Sequence, residues 1–473
     1  MTSATVTLSS EADVNLTPAE AFERFGRRDD AGWMFRARCH RVAPGYAVAI
    51  DLPGGCDAQV LGRLRVVMPG REIVIEHDQP WRGQLRIKFE RTGAAQTRVR
   101  FRAQVPSEGI EWLARHRGAS LPLPAPTGAR RIGLLTSKSG SGAVYSMAAE
   151  YMAQLAVEQV NADGGVGRRP VELLIADDAT DHLQARRETV RLIEAGCQAI
   201  FACVTSASFA AATAAAEVHD VLMVHPVINE GGMEAKKVIR FGERPEAQMA
   251  TLSRIVERET GGNRWFLVGQ QYSWSFGAHR AAARILDASG SRVVAQRFTP
   301  LGTREFTPII DSIRASGADV VMSSLVGADE VAFQQQAYEA GLRDLASRVS
   351  LVMDECTLEH VGPAAGNGIW TALNYFQSVS SPGNKELLRA YREHFGHWAP
   401  PLSSLSTNVY EAISQYLELA ALHPEAAPTH LAADWRTRKS DQESVGQRNM
   451  ATQRLYLARA EEDVIRVLDE VVA

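Results

Sequence analysis

The chain has 473 residues, 22% of them charged and 45% hydrophobic, and a formal net charge of −4. A single hydrophobic core stops growing near ~250–300 residues, so this length implies two or three domains. The slight negative charge supplies no basic field for a nucleic-acid backbone or an anionic membrane, so neither direct nucleic-acid binding nor membrane insertion is expected.

Five cysteines (Cys39, Cys56, Cys197, Cys203 and Cys356) are odd in number, scattered and free of any CxxC step. That spacing suits neither a disulfide framework nor a structural zinc site, and no metal or cofactor is expected. The first thirty residues lack a basic start followed by an apolar core, so a secretory signal is not expected and a cytoplasmic location is. The uncharged run between Glu194 and Glu217 is mostly Ala, Ser and Thr. It reads as a buried strand leading into a helix rather than a membrane span.

In chain order, a short helix from Pro18 to Phe25 precedes five segments of period-two character: YAVAIDL, GRLRVVM, EIVIEH, LRIKFE and TRVRFRAQV. These predict an antiparallel sheet, closed by a helix at about Glu108–His116. In the last strand Arg98, Arg100 and Arg102 alternate with Val99, Phe101 and Ala103, which reads as a solvated sheet face more readily than as an anion site. The leading helix, the meander GRLRVVMPGREIVIEHDQPW and the closing strand and helix resemble the START-like helix-grip superfamily of polyketide-cyclase type. That resemblance implies an α+β domain over residues 1–118, in which Trp33, Trp81 and Trp112 either line an apolar cavity or pack in the core.

Residues 119–129 form a linker, because the prolines of Gly118–Gly128 alternate with small residues and suit neither a helix nor a central strand. Residues 1–128 hold 18 Lys+Arg against 14 Asp+Glu, and the remainder reverses that sign. Beyond it, strand and helix alternate, which predicts parallel sheets covered on both faces. RIGLLT, VELLIADD, QAIFACVTS and VLMVHPV open the first series; RWFLVGQ, VVAQRF, DVVMSSLVG and VSLVMD form the second. Two doubly wound units whose strand ends face each other make a cleft, since open α/β sheets bind ligands at their carboxyl edges.

The stretch IGLLTSKSGSGAVYSMAAEYMAQLAVEQVNADGGVGRRPVELLIADDATD is similar to the opening of the type I periplasmic binding-protein fold. CVTSASFAAA, VLMVHPVINEGG, FGERPEAQ and WFLVGQQYSWSFG extend the match. GGVGRRP, NEGG and GQQYSW resemble the amide and urea branch, which includes the negative regulator of an amidase operon and the urea importer receptor. The resemblance implies a two-lobed α/β fold over residues 130–473, with lobe 1 at about 130–246 and 372–428 and lobe 2 at about 247–371 and 429–473.

It also implies the ligand loops. Val204, Thr205 and Ser206 end the third strand beside a helix N-terminus; His225, Pro226, Val227 and Ile228 follow the fourth. Tyr272 and Trp274 come from the second lobe as an aromatic lid, Gly327 and Ala328 continue SSLVG, and Asp354 and Glu355 follow VSLVM. Each has a plainer reading: Thr205 and Ser206 as helix caps, His225, Tyr272 and Trp274 as core, and Asp354 as the N-cap of a helix containing Thr357. Where the amide branch carries tyrosines this chain has Val204 and His225, so the resemblance implies a different ligand; Asp354 and Glu355 point to a cationic or polar nitrogen compound.

The function expected is a cytoplasmic sensor that closes on a small polar, amide- or urea-like molecule. Its partners would be that ligand and a regulatory protein, and a homodimer is compatible with it. A first alternative is the substrate-binding component of an ABC importer. A second is a cyclase- or hydrolase-like enzyme with a regulatory module. Against the second, no GxSxG, HExxH or Walker loop occurs, and Ser206 and His225 have no acidic orienter at readable spacing, so no catalytic residue is assigned.

Overall fold

The computed structural model describes residues 5–26, 36–51, 59–117, 119, 121, 123, 127–231, 235–438 and 454–472. Trp33 and Cys56, the last glycine of NEGG and much of the linker lie outside them. The chain divides between Leu123 and Pro124 into two units.

The first unit contains β1 (Thr5–Val14), α1 (Pro18–Glu23), β2 (Ala37–Arg38), β3 (Ala47–Asp51), β4 (Gln59–Met68), β5 (Glu72–Gln79), β6 (Gly83–Gly93), β7 (Gln96–Pro106) and α2 (Ser107–His116). Its strands form one antiparallel sheet in the order β1-β7-β6-β5-β4-β3-β2. Thr17 and Glu20 start α1 with a reciprocal capping box, which satisfies two otherwise orphaned N–H groups. Gly109 lets α2 lie against the sheet, since a Cβ there would come within 2.7 Å of the Trp81 ring. Trp81 and Trp112 are packed in the core, their rings 5.4 Å apart. The arginine stripe is paired and water-facing: Arg98 meets Asp13 at 2.9 Å, and Arg100 meets Glu11 at 3.1 Å and Glu90 at 2.8 Å.

The second unit begins with β8 (Arg130–Thr136), α3 (Ala143–Ala162), β9 (Val171–Asp177), α4 (His182–Glu194), β10 (Cys197–Cys203), α5 (Ser206–Ala216), β11 (Leu222–His225) and β12 (Val238–Arg240). These strands make a wholly parallel sheet, β12-β11-β10-β8-β9. The chain then crosses to a second lobe through α6 (Pro245–Thr260), β13 (Arg264–Gln270), α7 (Ser273–Ser289), β14 (Arg292–Thr299), α8 (Thr307–Ser316), β15 (Val320–Ser324), α9 (Ala328–Glu339), β16 (Ser347–Ser350), α10 (Glu355–Val361), α11 (Pro363–Gly366) and β17 (Trp370–Leu373). It returns as α12 (Pro382–Phe395), α13 (Ser404–Leu422) and α14 (Pro428–Arg438), and finishes with β18 (Arg454–Glu461) and β19 (Val464–Val472). The second sheet runs β14-β13-β15-β16-β17-β18-β19, parallel as far as β17 and antiparallel after it.

β8 and β15 are buried along their whole length, which is why these strands read as continuous apolar runs rather than alternations. α13 lies along α3. Leu431, Ala432 and Trp435 of α14 enter the lobe 1 core with Phe201, Phe241 and Tyr416. Residues 429–438 therefore belong to lobe 1, a correction to the expected boundary at 428. The two crossings are tied together where Glu243 Oε1 accepts the Asn374 N–H at 2.8 Å. Among the described residues no helix is long and apolar enough to cross a membrane.

Candidate ligand-binding site

Carboxyl ends of strands from both lobes meet around a cavity of about 60 Å³. The first lobe contributes Thr136 and Ser137 from the end of β8, Tyr145 and Ser146 from the first turn of α3, and Cys203, Val204, Thr205 and Ser206 from the β10–α5 junction. Val227 and Ile228 follow β11. The second lobe contributes Tyr272, Trp274, Val326 and Val352, and Gly142 and Leu405 complete the wall.

The hydroxyls on the lobe 1 side are oriented by groups behind them. Ser137 donates to Asp178 at 2.6 Å, Ser146 to Glu150 at 3.2 Å, and Ser206 to Glu230 at 2.6 Å. Glu150 is in turn paired with Lys138 at 3.2 Å. Burial pushes the Asp178 carboxyl up to about 6, against the pull of Ser137. Thr205 is the N-cap of α5 and accepts the Ser208 N–H, so Ser206 stands at the first helical position, where N–H groups point out of the helix.

Of the residues implied by the sequence, Val204, Thr205, Ser206, Val227, Ile228, Tyr272 and Trp274 line the cavity. Tyr272 and Trp274 do so from the start of α7 rather than from a loop, and both are also part of the lobe 2 core. Thr136, Ser137, Gly142, Tyr145, Ser146, Cys203, Val326, Val352 and Leu405 were not anticipated.

Six expected residues lie elsewhere. His225 is buried in the core, its ring stacked on Phe209 at 4.1 Å and its Nε2 3.1 Å from the Val204 carbonyl. Burial lowers its pKa to about 4, which keeps the imidazole neutral. Pro226 is buried and is not part of the cavity wall. Gly327 and Ala328 touch lobe 1 directly: the Gly327 N–H donates to the Tyr145 hydroxyl at 3.1 Å, and the Ala328 N–H to the Ser141 carbonyl at 2.9 Å.

Asp354 is the N-cap of α10, accepting the Thr357 N–H at 2.8 Å, and Glu355 accepts the Gln377 N–H at 2.6 Å. Their hydrogen bonds are structural, so the expected negative cavity mouth and its cationic ligand are not what this geometry builds.

Desolvation raises the Asp354 pKa to about 6. An acid raised in the folded state contributes stability below its unfolded value near ~3.9, and loses that contribution as pH rises through the folded value. Asp354→Asn, which caps about as well, is therefore expected to gain thermal stability relative to the parent between about pH 4 and pH 7, by ~2 °C or more. Ligand affinity should stay within about twofold. Melting curves across that range check the first statement and calorimetry the second; parallel curves would remove Asp354 as the titrating group.

The model of the family described as periplasmic binding protein matches residues 130–459. The chain belongs to the periplasmic binding protein family. The family relative named Leu/Ile/Val-binding protein homolog 8, from Brucella abortus (strain 2308), is 30% identical over 291 residues, covering 56% of this chain and 70% of that protein. Homolog 7 from the same strain is 25% identical over 284 residues.

Two solved structures share the periplasmic binding protein fold. The branched-chain amino acid transporter substrate binding protein LivJ from Streptococcus pneumoniae, in complex with isoleucine, has a TM-score of 0.65 at 19% identity, covering 73% of this chain and all of that one. An ABC transporter solute binding protein from Rhodopseudomonas palustris HaA2, in complex with p-hydroxybenzoic acid, has a TM-score of 0.64 at 18% identity, covering 73% and 97%.

Membership overturns the expected cytoplasmic location, since periplasmic binding proteins work outside the cytoplasm. The importer-receptor alternative accordingly fits better than the cytoplasmic sensor. Periplasmic binding proteins are ligand-binding receptors rather than enzymes, in keeping with the expectation for residues 130–473.

Proposed function

We propose that the second unit is the solute receptor of an ABC importer, closing two lobes over one small organic molecule. The observation that carries this reading is the cavity itself: both lobes wall it, and direct hydrogen bonds between Ser141, Tyr145, Gly327 and Ala328 join the lobes beside it. Enclosure by two mobile walls removes a ligand from water while leaving a path for release. The amide and urea reading is supported by GQQYSW, whose Tyr272 and Trp274 face the cavity. For the first unit we propose the helix-grip assignment, supported by its antiparallel sheet and the packing of α2 upon it.

The test is calorimetric titration with isoleucine, 4-hydroxybenzoate and acetamide, alongside small-angle scattering. Binding of one class with a smaller radius of gyration is expected. Failure of every compound to bind, with no change in scattering, would count against a receptor.

A further inference from the structure

We propose that the ligand is a compact, apolar-bodied carboxylic acid without an amino group, held between the first turn of α5 and the indole N–H of Trp274. The inference deepens the receptor reading above and rests on it. Three observations carry it.

First, Trp274 is only 2% exposed and lines the cavity, yet its Nε1 has no hydrogen-bond partner. An indole N–H is a donor only, and a buried donor left unmade costs on the order of 1–3 kcal/mol, so the position calls for an acceptor on the ligand. Second, α5 begins at the same cavity with Ser206 in its first position. A helix N-terminus attracts negative charge through its free N–H groups and the positive end of its dipole. A carboxylate has two oxygens, enough to meet a donor from each lobe.

Third, none of the described residues lining the cavity is an Asp or Glu. The acids behind the wall are engaged: Asp178 holds Ser137, Glu150 holds Ser146 and Lys138, and Glu230 holds Ser206. An ammonium enclosed here would have hydroxyl lone pairs but no contacting carboxylate, and a buried charge without a partner is strongly disfavoured. The rest of the wall is apolar, with Val227, Ile228, Val326, Val352 and Leu405. The cavity volume of about 60 Å³ corresponds to roughly four to six waters, whose shares of ~30 Å³ each match a branched-chain or single-ring acid.

The experiment uses the full chain and three compounds with one carbon skeleton: 4-methylpentanoate, leucine and 4-methylpentanamide, with benzoate as the ring probe. By calorimetry at pH 7, 4-methylpentanoate or benzoate is expected to bind at least tenfold more tightly than leucine or the amide. Trp274→Phe, which keeps the ring and loses the N–H, should weaken acid binding about tenfold. The comparison among compounds on the parent chain stands even if that variant folds poorly. Leucine or the amide binding as tightly as the acids would overturn the ligand class and leave the receptor reading intact. An unchanged affinity in a folded Trp274→Phe would overturn the indole's part. If these probes and the wider panel above all fail to bind, the receptor reading falls with the inference.

Discussion

Gly327→Ala is expected to lower ligand affinity by at least a hundredfold. Gly327 has φ +58° and ψ −127°, a backbone conformation that side chains rarely tolerate, and a Cβ built there would stand 1.8 Å from the Ser141 carbonyl oxygen in the other lobe. That oxygen is the acceptor of the Ala328 N–H, and the Gly327 N–H itself binds the Tyr145 hydroxyl. A methyl at this position therefore forces the lobes apart where they meet.

Because the ligand is held by both lobes, its affinity falls by the fraction of molecules that can still close. Backbone strain adds a destabilisation of about 1–3 kcal/mol, which a melting curve registers separately. Loss of the ligand-induced compaction in scattering, together with the fall in affinity by calorimetry, is the expected pair of results. Affinity within threefold of the parent would mean that Gly327 is not part of the closing contact.

The two-lobed architecture was legible because buried parallel strands write themselves as uninterrupted apolar runs and their helices as capped segments. β1 was not. Its residues Ser9, Ser10, Glu11 and Asp13 carry no apolar alternation, and it is held by its ladder to β7 and by Glu11 and Asp13 on the arginine stripe. Such an edge strand is visible only once its partner is known. The third crossing was misplaced for a similar reason, since nothing in α14's own sequence says which lobe Trp435 enters.

Within the site, Thr205 and Ser206 were legible as a strand end meeting a helix start. Thr136 and Ser137 occupy the equivalent place after β8, so the same signal was present in SKSGSG. Leu405 had none, because α13 returns to the cleft from far along the chain. Asp354 and Glu355 show the converse error: a carboxylate at a strand end resembles a ligand group, whereas Thr357 three positions on marks a cap. His225 stands at another strand end, but its ring is stacked on Phe209 and turned to the Val204 carbonyl. Strand-end position locates the cleft; the side chain's own partners decide whether it faces in.

Asp329 and Ser141 allow closure to be separated from folding. Asp329 is fully buried and accepts four hydrogen bonds, from Ser141 Oγ at 2.8 Å, Gln270 Nε2 at 2.7 Å, and the Gly302 and Thr303 N–H groups at 2.9 and 3.1 Å. Desolvation still holds its pKa above the ordinary carboxylate value. Three of those donors belong to lobe 2, so Asp329→Ala strands them inside a single lobe, and a loss of about 3 kcal/mol or more is expected at ~1–3 kcal/mol for each buried group left unsatisfied. The melting temperature should fall by roughly 6 °C or more.

Ser141→Ala removes only the bond that crosses between lobes. It should leave the melting temperature of the unliganded protein nearly unchanged and weaken ligand binding about five- to tenfold, the worth of one bond to a carboxylate. In the double variant the serine should no longer matter to affinity, because its acceptor is gone, and the coupling measured by the cycle equals the interlobe bond. Independent, additive effects on affinity would show that the Ser141–Asp329 bond makes no contribution to closure.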